Sequence, residues 1–404
     1  MPEYAEIPYG AYWSSPFARW QGSLSHLHSM ELAAHVAKAE LARRSIPVEA
    51  IDHGVLGITV PQFKSFWGLP WVTGMIGAEG VGGPTVSQAC ATGPRSVLAA
   101  SQEISAGMAG VSLVLATDRT SNGAHVYYPA PAGPGGTGQH EDVVMDNFNH
   151  DPFAKNAMLE TAENVAAKHQ VTTEQQHEVV LQRHGQYQAA RADDHAFQKR
   201  YMTLPFAVPD ARFRKSAGTL TGDEGVVETT AEGLARLRPV KPDGTVTFGG
   251  QTHPADGTAG MIVTTAERAR EFASDPNIRV RLLGFGQARA DKGYMPEAPV
   301  SSSARALDNA GLSIADIDAV KSHNPFAVND IVFSRATGFP LEKMNNYGCS
   351  LVWGHPHAAT GLRSIIELIE ELALNGGGRG LFQGCAAGDT SMAVVVEVSD
   401  RTAS

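Results

Sequence analysis

Residues 81–104 read VGGPTVSQACATGPRSVLAASQEI, with one cysteine, Cys90, set among small residues where two differently patterned runs meet. The run before it has the composition of a buried strand. The run after it has helical spacing, with Val97, Leu98 and Ile104 near one face. Cys90 is therefore expected on a tight connection just ahead of a helix. There the unpaired N–H groups and the helix dipole favour a thiolate, and small neighbours let a bulky group approach the sulfur. The competing expectation is a small buried hydrophobe, the common role of a lone cysteine between alanines.

The rest of the chain supplies the setting. Its 404 residues are enough for two or more cores, and 43% apolar residues with 18% charged and 42 glycines fit an α/β protein. With 32 basic against 42 acidic residues, net charge −10 and no long run of either sign, nucleic acid and anionic membranes are excluded as main partners. A phosphate-bearing ligand needs only a local basic patch. Cys90, Cys349 and Cys385 are too few for a disulfide framework and too far apart for a local zinc motif, so a reducing cytoplasm is expected. The opening MPEYAEIPYGAYWSSPFARW has no basic region followed by an apolar run, and no apolar stretch is long enough for a bilayer span.

Helical spacing in MELAAHVAKAELARRSI (30–46) precedes the β-like HGVLGITV (53–60), and the apolar strand VSLVLATD (111–118) follows the Cys90 unit. This alternation predicts a mostly parallel sheet with helices on its faces. From 120 to 248 the character changes. A Pro/Gly-rich PAPAGPGGTGQH leads to a long helical region with a break at Thr173, read as an inserted, largely helical lobe over the mouth of the core. The last third returns to strands and helices, ending in GLFQGCAAGD and TSMAVVVEV. A second cysteine turn at Cys385 suggests a repeat of the Cys90 turn.

Three glycine-framed segments carry reactive residues: Cys90, GHPHAATG (354–361) and GCAAGD (384–389). A thiol nucleophile needs a base, and His355, at a helix entry, is the candidate; the alternative is a satisfied structural histidine. His355 and His357, two apart, and the other scattered histidines give no zinc-ligand spacing, so no metal site is expected.

These segments, in this order, resemble the thiolase family of coenzyme-A-dependent β-ketoacyl transferases. SQACATG resembles its nucleophile turn, TAENVAAKHQVTTEQQHEVVLQRH its loop-domain helices, and LRPVKPDGTVTFGGQTHPADGTAGMIV its coenzyme A tunnel segment. SHNPFA stands at its Asn/His-Glu-Ala-Phe-Ala box, and GHPHAATG and GCAAGD at its final two boxes. The resemblance implies a thiolase fold: two similar βαβαβ halves in α-β-α-β-α layers with an inserted helical loop domain. It divides the chain into an N-terminal half (1–119, returning at 249–270), a loop domain (120–248) and a C-terminal half (271–404). It implies that Cys90 is acylated, that His355 activates it, and that Cys385 moves the proton at the α-carbon. His323 would help build an oxyanion hole, supported by Asn324, Gly388 and the backbone near Cys90. Thr252, Phe326 and Met158 would contact substrate or coenzyme A, a co-substrate rather than a resident cofactor.

Several positions depart from the family. Asn324 replaces the usual Glu, Pro325 the usual Ala, and Ala387 and Asp389 stand where glycines are common. Val227 and Ala157 replace an arginine and a histidine that contact coenzyme A. Such changes imply cleavage of a bulky 3-oxoacyl-CoA in a degradative pathway. They also resemble the divergent thiolases that work with a small zinc-ribbon/OB-fold partner, the benzoylsuccinyl-CoA thiolase subunit type among them. SFWGLPWVTGM (65–75) and VYYPAP (126–131) read either as a pocket for an aromatic acyl chain or as core or dimer contacts. A homo-oligomer is implied. The rival expectations are a retro-aldol or condensing enzyme of the lipid-transfer-thiolase type, favoured by Asn324, and a non-catalytic acyl-CoA-binding subunit.

Overall fold

The computed structural model describes residues 4–401. The apolar run VSLVLATDR forms the strand Val111–Arg119, buried at every position but its last. It lies at the centre of a sheet whose spatial order is Tyr12–Ser14, Ala255–Thr264, Val111–Arg119, His53–Gly57, Thr85–Val86, with Ala18–Arg19 also paired to Ala255–Thr264. A second sheet runs Ile278–Arg289, Thr390–Asp400, Gly378–Ala386, Ala319–His323. Setting aside the two-residue strands, both sheets follow the chain order first, fourth, third, second. Both also have the same directions, two antiparallel pairings and then a parallel one. The internal repeat is therefore present as topology. The sheets are mixed rather than mostly parallel, because in each half the last strand returns antiparallel between the first and third.

Two further expectations are corrected here. The run before Cys90 is no buried core strand; only Thr85–Val86 pairs, at the sheet edge with Thr85 exposed, because Gly82, Gly83 and Pro84 interrupt it. The repeat also does not match the Cys385 turn to the Cys90 turn. Cys90 enters the helix Thr92–Ser105, which precedes Val111–Arg119, and its counterpart is His355, entering the helix His357–Leu374 before Gly378–Ala386. Cys385 sits instead near the end of that following strand.

Those two helices form the middle layer, packed between the sheets. Ser29–Arg43 and Gly68–Ile76 cover the outer face of the first sheet. Ala298–Ala310 and Ala327–Thr337 cover that of the second. The region 120–248 holds the expected helices, Met158–Lys168 and Thr173–His195, the latter leaving helical geometry at 192–194. It also holds two β-hairpins, His125–Tyr128 with Gln139–Asp142 and Phe206–Pro209 with Ser216–Leu220, so PAPAGPGGTGQH is largely a hairpin connection. No helix among the described residues is long and apolar enough to cross a membrane.

The helix His357–Leu374 is buried on all sides from His357 to Leu372, so its polar residues must find partners inside the protein. Arg363 forks onto Asp223 at 2.6 and 2.8 Å and reaches Glu367 at 3.0 Å. Its guanidinium also lies 4.4 Å from the Trp353 ring. Asp223 comes from the middle region and also accepts from Tyr187 and Gln198, so this pairing fastens the lobe to the core.

The two middle helices cross at a pair of glycines. A Cβ on Gly93 would stand 2.6 Å from the Leu362 backbone nitrogen, and one on Gly361 would stand 2.6 Å from Pro94 Cδ. At Gly93 the obstacle is backbone, which no rotamer change can move. Gly93→Ala is expected to lower unfolding free energy by about 1–3 kcal/mol through overpacking, and to depress activity further than that loss explains, by parting Cys90 from His355. Denaturant titration alongside turnover of the folded variant checks both.

Candidate active site

The Cys90 turn is held by its own backbone and by one threonine. Thr92 Oγ1 donates to Ala89 O at 2.7 Å and accepts from Gln88 N at 2.8 Å, closing a ring around the cysteine. Ala89 is forced to φ +45°, a conformation that costs a non-glycine residue roughly 1–2 kcal/mol. Cys90 itself keeps partial access from outside.

Across the helix crossing, the Cys90 sulfur and a ring nitrogen from each of His323 and His355 all lie within 4.8 Å of one another. The two imidazoles stack at 4.0 Å between centroids. In both rings Nδ1 is engaged by a hydroxyl, so the nitrogens left for the sulfur are the Nε2 atoms, which no protein group bonds. The hydrogen-bond pattern assigns the proton of His355. Thr360 Oγ1 donates to Pro356 O at 2.8 Å, so it accepts from His355 Nδ1–H at 2.7 Å, leaving His355 Nε2 as a bare acceptor. Ser350 Oγ accepts from Asn324 N at 3.1 Å, donates to Asn324 Oδ1 at 3.2 Å and lies 3.0 Å from His323 Nδ1. The bare Nε2 of His355 can take a proton.

His323 ends the strand Ala319–His323 opposite Gly384, where a Cβ would approach the His323 Cβ to 2.9 Å. One residue on, Cys385 faces the helix Ala327–Thr337, and Asn329 Nδ2 donates to its sulfur at 3.3 Å. The turn after it aims the Ala387 backbone N–H at the Cys90 sulfur. Burial dominates the electrostatics. It pushes the Cys90 thiol up to about 12, lowers His323 to about 3, and holds His355 well below its usual value with help from the neighbouring His323, His357 and His253. Burial and then the charge of Cys90 raise Cys385. Burial thus favours a neutral thiol beside a neutral imidazole and opposes the thiolate that the helix N-terminus and the Ala387 N–H favour.

The chain matches the family model for the thiolase N-terminal domain over residues 12–267 and that for the C-terminal domain over 277–398. It belongs to the thiolase family. Acetyl-CoA acetyltransferase from Escherichia coli is 30% identical over 94% of this chain and 95% of its own. Human mitochondrial 3-ketoacyl-CoA thiolase is 27% identical over 95% and 96%. The crystal structure of that human enzyme superposes with a TM-score of 0.88 over 98% of this chain and 99% of its own. A Bacillus anthracis acetyl-CoA acetyltransferase structure gives 0.87 at 25% identity over 98% and 100%. The layered α/β architecture is the thiolase fold, and the protein is an acyltransferase of that family.

In this thiolase the remaining expected site residues fall mainly behind the reacting groups. The Asn324 amide donates to Asp330 Oδ2 at 2.8 Å and to Cys349 Sγ at 3.3 Å, and its Oδ1 accepts from Leu351 N, so it braces Ser350 beneath His323. Thr252 donates its hydroxyl to Ser350 O at 2.5 Å and its N–H to Pro325 O at 2.7 Å. Phe326 is buried as the residue capping Ala327–Thr337. Met158 opens its helix, partly buried against the core. Gly388 stands at φ +76° in the turn after Cys385 with open space beside it. Asp389 is buried and accepts from Gly293 N at 2.9 Å, facing away from solvent.

Sequence reasoning missed Thr360, Ser350, Asn329 and Asp118. Asp118 accepts from Thr59 N and Oγ1, from Val60 N, and from Ala358 N at the start of the His355 helix, where a carboxylate suits the helix dipole. Only the Asn-rich spacing of HNPFAVND carried any signal for Asn329. Because the Cys90 thiol is raised, its thiolate grows with pH. Alkylation of Cys90 by iodoacetamide in the free enzyme is expected to accelerate roughly tenfold per unit between about pH 6 and 9. A flat profile across neutrality would reveal a preformed thiolate–imidazolium pair.

Proposed function

We propose that this thiolase cleaves a 3-oxoacyl-CoA with free coenzyme A, a reversible Claisen condensation run through an acyl-Cys90 intermediate. The observation that carries the reading is the bare Nε2 of His355 beside the Cys90 sulfur, with His323 stacked on the same ring. His355 Nε2 takes the thiol proton as Cys90 attacks the 3-oxo carbon, which avoids any standing charge in a desolvated pocket. The bond between C2 and C3 breaks, and its electron pair becomes the enolate of the departing thioester. The Nε2–H of His323 and the proton now on His355 hold that enolate oxygen. The backbone N–H groups of Cys90 and Gly388 serve the first oxyanion, each donor of the kind worth roughly 3–4 kcal/mol elsewhere. Cys385 protonates the enolate carbon. The thiolate left on Cys385 takes the proton of the coenzyme A thiol as that sulfur attacks the acyl-Cys90 carbonyl, and the imidazolium of His355 protonates the departing Cys90 sulfur, releasing acyl-CoA and restoring both thiols.

A bulky acyl group fits the small side chains around the nucleophile, Ala89, Ala91 and Ala387, and the open space at Gly388. Phe66 and Trp67, 90% and 64% exposed, do not wall such a pocket. Trp67 precedes Gly68, whose Cβ would meet Thr85 of the edge strand, so this aromatic surface flanks an unpaired sheet edge and suits a second copy of the chain. The absence of an arginine at Val227 and a histidine at Ala157 leaves coenzyme A contacts that a small zinc-ribbon/OB-fold partner would complete. The cytoplasm is the compartment that suits three free thiols.

A panel of 3-oxoacyl-CoA substrates, each incubated with and without coenzyme A, tests the reaction class. Consumption of one coenzyme A per cleavage is expected, with Cys90→Ser lowering turnover by about 10³-fold or more. Cleavage that proceeds equally without coenzyme A would assign retro-aldol chemistry instead.

A further inference from the structure

We propose that Asn329 is the positioning residue of the second thiol, its side-chain amide holding Cys385 Sγ and stabilising the thiolate that proton transfer leaves there. The inference rests on the reading in which Cys385 moves the α-proton, and it begins from the direction of one amide. Asn329 Oδ1 accepts the backbone N–H of Phe326 at 3.2 Å, which fixes the orientation of the group. Nδ2 must then point the other way, and it does so at the Cys385 sulfur, 3.3 Å distant. Asn329 and Cys385 are 2% and 1% exposed, so water does not substitute for either contact.

The two ends of the amide do different work. Asn329 is the third residue of the helix Ala327–Thr337, and capping Phe326 requires only the oxygen. An aspartate would cap as well. The nitrogen is what an aspartate lacks and what the sulfur uses, and it is the one side chain hydrogen-bonded to Cys385 among the described residues. Donation to a thiolate is stronger than donation to a thiol, so the contact favours the charged state selectively. Burial and the nearby Cys90 both oppose that state. In cleavage the S–H bond of Cys385 breaks, its proton bonds the enolate carbon, and the electron pair stays on sulfur facing Asn329. In condensation the same thiolate takes the α-proton, and the C–H pair becomes the enolate.

Two measurements on the full chain test this. In a Cys90→Ser background, iodoacetamide labelling of Cys385 is followed against pH by peptide mass mapping. In the chain with Cys90 intact, exchange of the α-hydrogens of acetyl-CoA with deuterium oxide is followed. Asn329→Asp keeps the cap oxygen and removes the donor, whereas Asn329→Ala removes both. Both variants are expected to move the labelling profile upward by about one pH unit or more, so that labelling at a given pH slows about tenfold. Exchange should slow by a similar factor. Far-UV circular dichroism and denaturant titration mark any variant whose loss is unfolding; the other variant then carries the test. Unchanged profiles in folded variants would overturn the role of Asn329. An absence of α-hydrogen exchange in the parent chain would instead strike the role of Cys385, while the labelling profile still tests the Asn329 contact.

Discussion

The approach of two helices at bare backbone governs everything at this site. Thr92–Ser105 and His357–Leu374 come from different halves of the chain, yet Gly93 and Gly361 let them touch where a methyl group on either would collide. Each helix begins with a residue that needs the other, Cys90 ahead of one and His355 ahead of the other. Topology makes this meeting symmetrical, since the two sheets share one strand order and the two helices occupy equivalent places within them. Asp118 adds a polar clasp, accepting from the first turn of the His355 helix while anchored in the sheet of the Cys90 half. A side chain at Gly93 or Gly361 would push Cys90 and His355 apart.

Burial at the seam sets the style of the chemistry. A standing thiolate–imidazolium pair would place two charges in a desolvated crevice, so burial favours the neutral pair. Hydroxyls do the organising. Thr360 and Ser350 each hold one of two stacked rings at Nδ1, which leaves both Nε2 atoms free of protein partners. Asn324 fits this scheme as a brace for Ser350, and its amide satisfies Asp330 and Cys349, so the loss of the carboxylate usual at that place does not dismantle the histidine beside it.

Much of this was legible in the sequence because the reactive residues sit on glycine-framed turns whose order along the chain is itself informative. The strand–turn–helix at Cys90, the helix after His355 and the loop helices broken near Thr173 all follow local pattern. What escaped were relations between distant segments. The strand before Cys90 shrank to two residues because Gly82-Gly83-Pro84 cannot hold a ladder. The antiparallel return of Ala255–Thr264 depends on pairing with strands more than a hundred residues earlier. Matching Cys385 to Cys90 followed residue identity, whereas the repeat follows connectivity and pairs Cys90 with His355. Thr360, Ser350 and Asn329 are ordinary helix and loop residues in sequence, and only their partners reveal them.

The account stands on Cys90 being the atom that becomes acylated. Turnover of a cleavable 3-oxoacyl-CoA, acid-quenched before coenzyme A is added and followed by peptide mass mapping, locates the acyl group directly. A thioester on the peptide carrying Cys90, discharged on adding coenzyme A and missing from the peptides carrying Cys349 and Cys385, is the predicted result. An acyl group on Cys385, or cleavage that leaves every cysteine unmodified, would contradict it.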